Sequence, residues 1–149
     1  WHASTGILLV DDEDKILCVS RKDDHTDFSL PGGKLDEADK GDFFKGALRE
    51  LLEETGYEPT PVFYRVTHFF TNPIHEGFHL NHRKPGLLYY CKVLEYPARM
   101  FKQVQEPEIG GGIVKWLTAQ ELLASGKAFN DWTETVLKKA QFSLVPLLS

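Results

Sequence analysis

The chain has 149 residues, 42% hydrophobic and 26% charged, which suits one compact domain spanning 1–149 with a core of its own. Its formal charge of −5 argues against stable nucleic-acid binding, because such surfaces draw phosphate through an excess of Lys and Arg. No apolar run approaches the roughly 20 residues of a membrane helix, no secretory leader is read, and Cys18 and Cys91 show no CxxC or short Cys/His spacing. Neither a disulfide framework nor structural zinc is supported, and a reduced, cytoplasmic, soluble setting is the expectation.

In chain order, Gly6 to Val10 and Lys15 to Ser20 are β-type runs separated by an acidic turn, which predicts a hairpin. "HTDFSLPGGKL" follows as a loop whose Gly32 and Gly33 can bring bare backbone close to a ligand. "DFFKGALRELLEETG" predicts the strongest helix. It places Phe44, Leu48, Leu51, Leu52 and Thr55 on one stripe, with Asp42 as N-cap and Gly56 as C-terminal stop. Beyond it, "PVFYRVTHFF", "GLLYYCKVLEY" and "GGIVKWL" read as strands. "TAQELLASG", capped by Thr118, and "DWTETVLKKAQF" read as helices. Strands and helices interleave without strict βαβ alternation, and no repeat or linker divides the chain.

The stripe fixes which way the main helix faces. With 3.6 residues per turn, Glu50, Glu53 and Glu54 project together on the other side, joined by Arg49 and by Gly46, whose missing side chain leaves room one turn earlier. An isolated EXXEE is most simply a solvated face in which Arg49 pairs with Glu53 at i, i+4. Adjacent like charges nevertheless repel unless a cation lies between them, and clustered hard oxygens are what magnesium or manganese requires. Such a metal would also let an acidic domain bind a polyphosphate.

Context upstream favours the second reading. "GGKLDEADKGDFFKGALRELLEETGY" resembles the signature of the Nudix (MutT-like) hydrolases, GX5EX7REUXEEXGU with U aliphatic or aromatic, and Arg49 to Tyr57 match at every specified position. "SLPGGKL", Arg21 after the second strand and "EPEIGGGIVKWLTAQELL" extend the resemblance over most of the chain. It departs in one place: Gly33 to Arg49 is 16 positions against 14, so the first glutamate of the pattern falls at Asp39 counted from the glycine or at Gly41 counted from the arginine. In the family that residue helps fix the loop and the arginine. Asp42, two helical turns before Arg49, is the substitute the sequence offers.

The resemblance implies an α+β protein with the Nudix fold, an α/β/α sandwich around a mixed β-sheet. It implies Glu50, Glu53 and Glu54 as ligands of Mg2+ or Mn2+, the Gly33 carbonyl as a backbone ligand, Arg49 as the residue orienting the cluster, and Arg21 and Lys34 as substrate-binding. The implied reaction is attack of water on phosphorus in a nucleoside diphosphate linked to a further group. Glu50, Glu106 and Glu108 are the candidates for general base, and Glu108 is favoured. The alternative for both loop glutamates is plain surface charge.

Two rival functions share the scaffold. A binding or regulatory module without catalysis is opposed by the intact EXXEE. A prenyl-diphosphate isomerase would need further catalytic Cys and Glu residues in the pocket, and neither Cys18 nor Cys91 has an evident partner. His75, His79 and His82, with Arg83 and Lys84, read as a substrate-contacting loop rather than a zinc site, because Gly, Asn and Pro exclude a helix there. Pro73, 16 positions after Tyr57, is near where proline marks ADP-ribose-type members. Trp116, Tyr89 and Tyr90 read as core. The apolar end "SLVPLLS" suits closure of the core or a homodimer interface, and the partner otherwise expected is a small-molecule diphosphate.

Overall fold

A computed structural model of the chain describes residues 2–11, 13–58, 64–73, 86–95, 102–108, 110–127 and 130–139. The histidine loop with Arg83 and Lys84, and the apolar end 143–149, lie outside the described residues, and Tyr89, Tyr90 and Cys91 are described by backbone alone. The strands are β1 (His2–Val10), β2 (Ile16–Ser20), β3 (Phe28–Ser29), β4 (Gly32–Lys34), β5 (Tyr57–Glu58), β6 (Tyr64–Pro73), β7 (Gly86–Glu95), β8 (Lys102–Gln103) and β9 (Val114–Leu117). The helices are α1 (Phe43–Thr55), α2 (Ala119–Ser125) and α3 (Asn130–Lys139), with a 3-10 turn at Glu37–Asp39. Among the described residues no helix is long and apolar enough to cross a membrane.

One mixed sheet runs β3-β2-β1-β7-β6. The expected hairpin forms, with Val10 opposite Ile16, but β1 begins earlier than predicted and does more than pair with β2. Its first half pairs antiparallel with β4, Thr5 opposite Gly33, while its whole length pairs in parallel with β7. β2 pairs antiparallel with β9, and β6 with β7. β1 is therefore the axis of the sheet, and the Gly32–Lys34 strand is set directly on its edge.

Strand alternation sorts the side chains into two layers. Ile7, Leu9 and Leu17 pack with Ala47 and Leu51 beneath α1, and Phe44, Leu48, Tyr57, Val114 and Trp116 complete that layer. Leu8, Val10, Ile16 and Cys18 point the other way and pack with Ala119, Leu122, Val136 and Leu137 of α2 and α3. This is the expected helix/sheet/helix sandwich. Trp116 is core as read, meeting Tyr57 edge to face with centroids 6.0 Å apart. The stripe of α1 differs at one position: Ala47 packs in this layer with Leu51, Phe44 and Leu48, whereas Leu52, half-buried like the last two, is not one of its members.

The caps of α1 are those expected. Asp42 accepts from the Lys45 N–H at 3.0 Å, and Gly56 ends the helix at φ 75 with its N–H on the Leu52 carbonyl. A side chain at Gly56 would be strained by the backbone and would run into the Gln105 carbonyl. Thr118 likewise caps α2, in a capping box with Glu121.

Candidate active site

α1 carries Arg49, Glu50, Glu53 and Glu54 along the side that meets the Gly32–Lys34 strand. The Glu50 carboxyl group lies flat against Gly33: a Cβ there would come within 2.7 Å of Glu50 Cδ and Oε1 and 2.8 Å of Oε2. Only glycine fits. Glu54 Oε2 accepts from the Gly32 N–H at 3.2 Å, so two of the three glutamates are seated on the backbone of this one turn. Glu53 is the most open of the three, with 41% of its side chain exposed.

Arg49 binds the group together. Its Nη1 donates to Glu50 Oε1 at 3.1 Å and to Glu53 Oε2 at 3.2 Å, and its Nη2 donates to the Lys34 carbonyl at 3.1 Å. The remaining edge faces Asp39, with Nη2 3.0 Å from Oδ2 and Nε 3.1 Å from Oδ1, a forked charge-assisted pair. The simple i, i+4 pair with Glu53 is thus present, but as one of several bonds made by a guanidinium held on all sides.

Asp39, not Asp42, is the partner of Arg49, which corrects the expected substitution. Asp36 and Asp39 cap the 3-10 turn reciprocally, with the Asp36 N–H on Asp39 Oδ2 at 2.8 Å, and this delivers the Asp39 carboxylate to a site only 1% exposed. Lys40 at φ 51 and Gly41 at φ 79 then reverse the chain into Asp42. The longer loop is absorbed in this turn, so an aspartate counted from the glycine reaches the arginine while Asp42 is spent on the helix end. The space beside Gly46 is also not open, because Leu35, Asp39 and Thr5 fill it: a Cβ would meet Leu35 Cδ1 at 2.7 Å and Asp39 Oδ2 at 3.0 Å. Thr5 further ties β1 to α1 through a 2.6 Å bond from its hydroxyl to the Phe43 carbonyl.

The electrostatics follow from this packing. Burial pushes Glu54 up to about 8, with the charges of Glu50 and Glu53 adding to the shift and the Gly32 N–H opposing it. Burial also raises Glu50, chiefly against the pull of Arg49. The Arg49 guanidinium holds the Asp39 carboxyl below the usual carboxylate range. Among the described residues no three His, Cys, Asp or Glu side chains converge as a ready metal cage. Glu50 and Glu53 are turned to Arg49 and Glu54 to Gly32 instead. The donor set still fits a hard cation, since three carboxylates lie along one helix side with a single guanidinium to offset them, against a strand whose glycines carry no side chains of their own.

The segment after β8 joins this site from the other end of α1. The Glu108 N–H donates to the Glu53 carbonyl at 2.6 Å, so the loop glutamate favoured as base is anchored beside the cluster by its backbone, with its side chain exposed. Glu106 is exposed on the same segment. Lys34 contributes its carbonyl to Arg49 and leaves its side chain in solvent. Arg21 is engaged elsewhere, its Nε 2.9 Å from Asp23 Oδ1. Sequence reading missed Gln103, whose Nε2 donates to the Thr55 carbonyl at 3.0 Å, and undervalued Asp39, for which the Asp36/Asp39 spacing of a capping box was the available signal.

A NUDIX domain profile matches residues 1–138. No curated protein matches the sequence as a relative. Among solved structures, a MutT protein from Bacillus halodurans superposes with a TM-score of 0.65 at 21% identity, over 96% of this chain and 84% of its own. The NUDIX domain of Shewanella oneidensis NrtR, complexed with ADP ribose, gives 0.64 at 22% identity, over 93% and 85%. The E. coli dihydroneopterin triphosphate pyrophosphohydrolase gives 0.59 at 18% identity, over 89% and 92%. These likenesses agree with the fold already described, and with the profile covering nearly the whole chain they establish that this protein belongs to the NUDIX family, a diphosphate hydrolase by family.

Proposed function

We propose that the protein is a magnesium-dependent pyrophosphohydrolase acting on a nucleoside diphosphate linked to another group. The observation that carries this reading is the convergence of three glutamates, Glu50 and Glu53 on Arg49 and Glu50 and Glu54 on the Gly32–Gly33 backbone, with the Glu54 carboxyl pushed up to about 8. Strain of that kind is kept at functional sites. Glu50, Glu53, Glu54 and the Gly33 carbonyl would hold Mg2+ or Mn2+, which when bound neutralises the bridging phosphates and lowers the pKa of a water. Arg49, locked by Asp39, fixes the rotamers of Glu50 and Glu53. Glu108 takes the proton as the water oxygen bonds to phosphorus and the anhydride oxygen leaves with the bond electrons. Arg21 and Lys34 are assigned to the substrate phosphates, Arg21 after release from Asp23.

Similar solved structures include one bound to ADP ribose and an Ap4A hydrolase from C. elegans, which supports a nucleotide-type substrate. The isomerase reading loses support, because Cys18 is fully buried and its thiol is pushed far above its ordinary value by burial. Incubating the protein with nucleoside triphosphates, ADP-ribose, diadenosine polyphosphates and diphosphoinositol phosphates, with and without magnesium, tests the reading. Metal-dependent release of two phosphorylated products from one of them is expected. Binding of these compounds without turnover in any metal would instead make it a regulatory module.

A further inference from the structure

The last turn of α1 is capped almost entirely by one distant segment. Gly56 O accepts from Val104 N at 2.7 Å and from Gln105 N at 3.4 Å, and Glu53 O accepts from Glu108 N at 2.6 Å. Two side-chain amides add to these: Gln103 Nε2 donates to Thr55 O at 3.0 Å and Gln105 Nε2 to Leu52 O at 3.4 Å. A helix end leaves its last carbonyls without intrahelical partners, so some capping is required. Here the caps come from residues 103–108, and their effect is to lay the chain after β8 against the last turn of α1, with the Glu108 amide on the Glu53 carbonyl. β8 itself holds only two residues, paired with Tyr57 and Glu58, and is too short to aim the segment alone.

Of these bonds, the one from Gln103 is the firmest made by a side chain. It fixes the start of the segment on Thr55, whose hydroxyl in turn donates to the Leu51 carbonyl and accepts from the Tyr57 N–H. Beside the backbone bonds of Val104, Gln105 and Glu108, this amide links the exposed loop to the buried stripe of α1 through Thr55. Gly56 leaves the room for this approach, since a Cβ there would stand 3.0 Å from Gln103 Cγ.

We propose that Gln103 is a positioning residue for hydrolysis, its amide clamping segment 104–108 onto the last turn of α1 so that Glu108 is presented to the carboxylate cluster. The proposal rests on the reading of Glu108 as general base. Among the described residues Gln103 bonds to Thr55 and to no member of the cluster, so it acts on turnover through the loop and leaves metal binding alone. A misplacement of about 1 Å at a reacting group is enough to cost about 100-fold.

The test uses the full chain and the substrate found by the screen above. Gln103→Met removes the donor at nearly constant shape, and Gln103→Lys restores a donor of the charge favoured at a helix C-terminus. Gln103→Met is expected to lower kcat by about 10-fold to 100-fold. KM and the magnesium concentration at half-maximal rate should stay unchanged, and amide exchange at Val104 and Glu108 should speed up. Gln103→Lys should recover most of kcat. In the Glu108→Gln background, Gln103→Met should have no further effect. An unchanged kcat, or a loss of equal size in that background, overturns the positioning role while leaving Glu108 in place. Full activity of Glu108→Gln alone overturns the base reading first, and the role of Gln103 with it.

Discussion

On the side of the sheet covered by α2 and α3, one carboxylate is buried, Asp27 at 4% exposure with the Lys127 N–H 2.9 Å from its Oδ1, and the ion pairs stay at the surface. Lys127 meets Asp24 at 2.8 Å with 62% and 35% of their side chains exposed, and Lys138 meets Glu134 on the outer side of α3. The layer beneath is hydrocarbon, from Leu8 and Ile16 to Leu122 and Leu137. On the α1 side a comparable layer is present, yet Asp39 is sealed to 1% exposure, Glu50 is 13% exposed, and Glu54 is shifted far from its ordinary protonation. Such a concentration of perturbed carboxylates on one face is the kind of arrangement that functional sites show, and it is why the proposed chemistry is assigned there.

The largest effects should appear on turnover and on the α1 face alone. Glu53→Gln and Glu54→Gln are each expected to remove most activity while the fold is kept, and Glu50→Gln to demand more magnesium. Glu108→Gln should lower turnover by about 100-fold to 10,000-fold with nearly unchanged magnesium dependence. Glu106→Gln should be mild. Metal titrations of steady-state rates separate these cases, and normal turnover in both Glu53→Gln and Glu54→Gln would remove the distinction between the faces.

Next in size is the buried ion pair. Asp39→Ala strands Arg49 and the Asp36 N–H, and breaking a buried pair costs about 3–5 kcal/mol, tempered here because Arg49 keeps 23% exposure. Lys127→Ala, on the opposite face, should cost less than about 1 kcal/mol, as exposed pairs do. Urea denaturation of the two variants measures the contrast directly. Equal losses would mean that Asp39 is no more committed than a surface residue.

A third test uses pH. Glu54 holds its proton more tightly in the folded protein than in the unfolded chain, so between its ordinary 4.5 and about 8 only the folded state binds that proton. Stability without metal should therefore fall as pH rises through this window. Glu50, raised in the same direction, adds to the slope. Asp39 works oppositely and lower down: its contribution is present above the ordinary aspartate value and is lost as pH falls through its lowered one. Thermal melts in chelator should show Glu54→Gln equal to or more stable than wild type near pH 8, with a flatter pH dependence. A steeper dependence in that variant would refute the assignment.

Much of this contrast could be read before any coordinates. The 3.6-residue period of Phe44, Leu48, Leu51 and Thr55 fixes the buried side of α1 and hence the direction in which the glutamates point, and Asp42 and Gly56 mark its ends by local chemistry. The partner of Arg49 could not be settled that way. Asp39 and Asp42 are both carboxylates in a loop of altered length, and what separates them is backbone: the 3-10 turn and the left-handed Lys40 and Gly41 decide which side chain returns to the helix. Gln103 was invisible for a related reason. Its bond spans 48 positions to a backbone carbonyl, which carries no side-chain signature in sequence.

The smallest effect compares the two helix caps, one on each face. Asp42 accepts from Lys45 N at the start of α1, and Thr118 accepts from Glu121 N at the start of α2. Removing either cap with alanine should cost about 1 kcal/mol, because the same kind of orphan amide is left behind. Asp42 lies nearer the carboxylates, and if it held Arg49 its loss would reach activity as well. Arg49 is already saturated by Asp39, Glu50, Glu53 and the Lys34 carbonyl, and the Asp42 side chain is occupied by Lys45 N. Asp42→Ala and Thr118→Ala should thus lose similar stability in urea and keep similar turnover at saturating magnesium. A fall in turnover confined to Asp42→Ala, beyond what unfolding explains, would show that the start of α1 belongs to the site and that Asp39 does not fix the arginine alone.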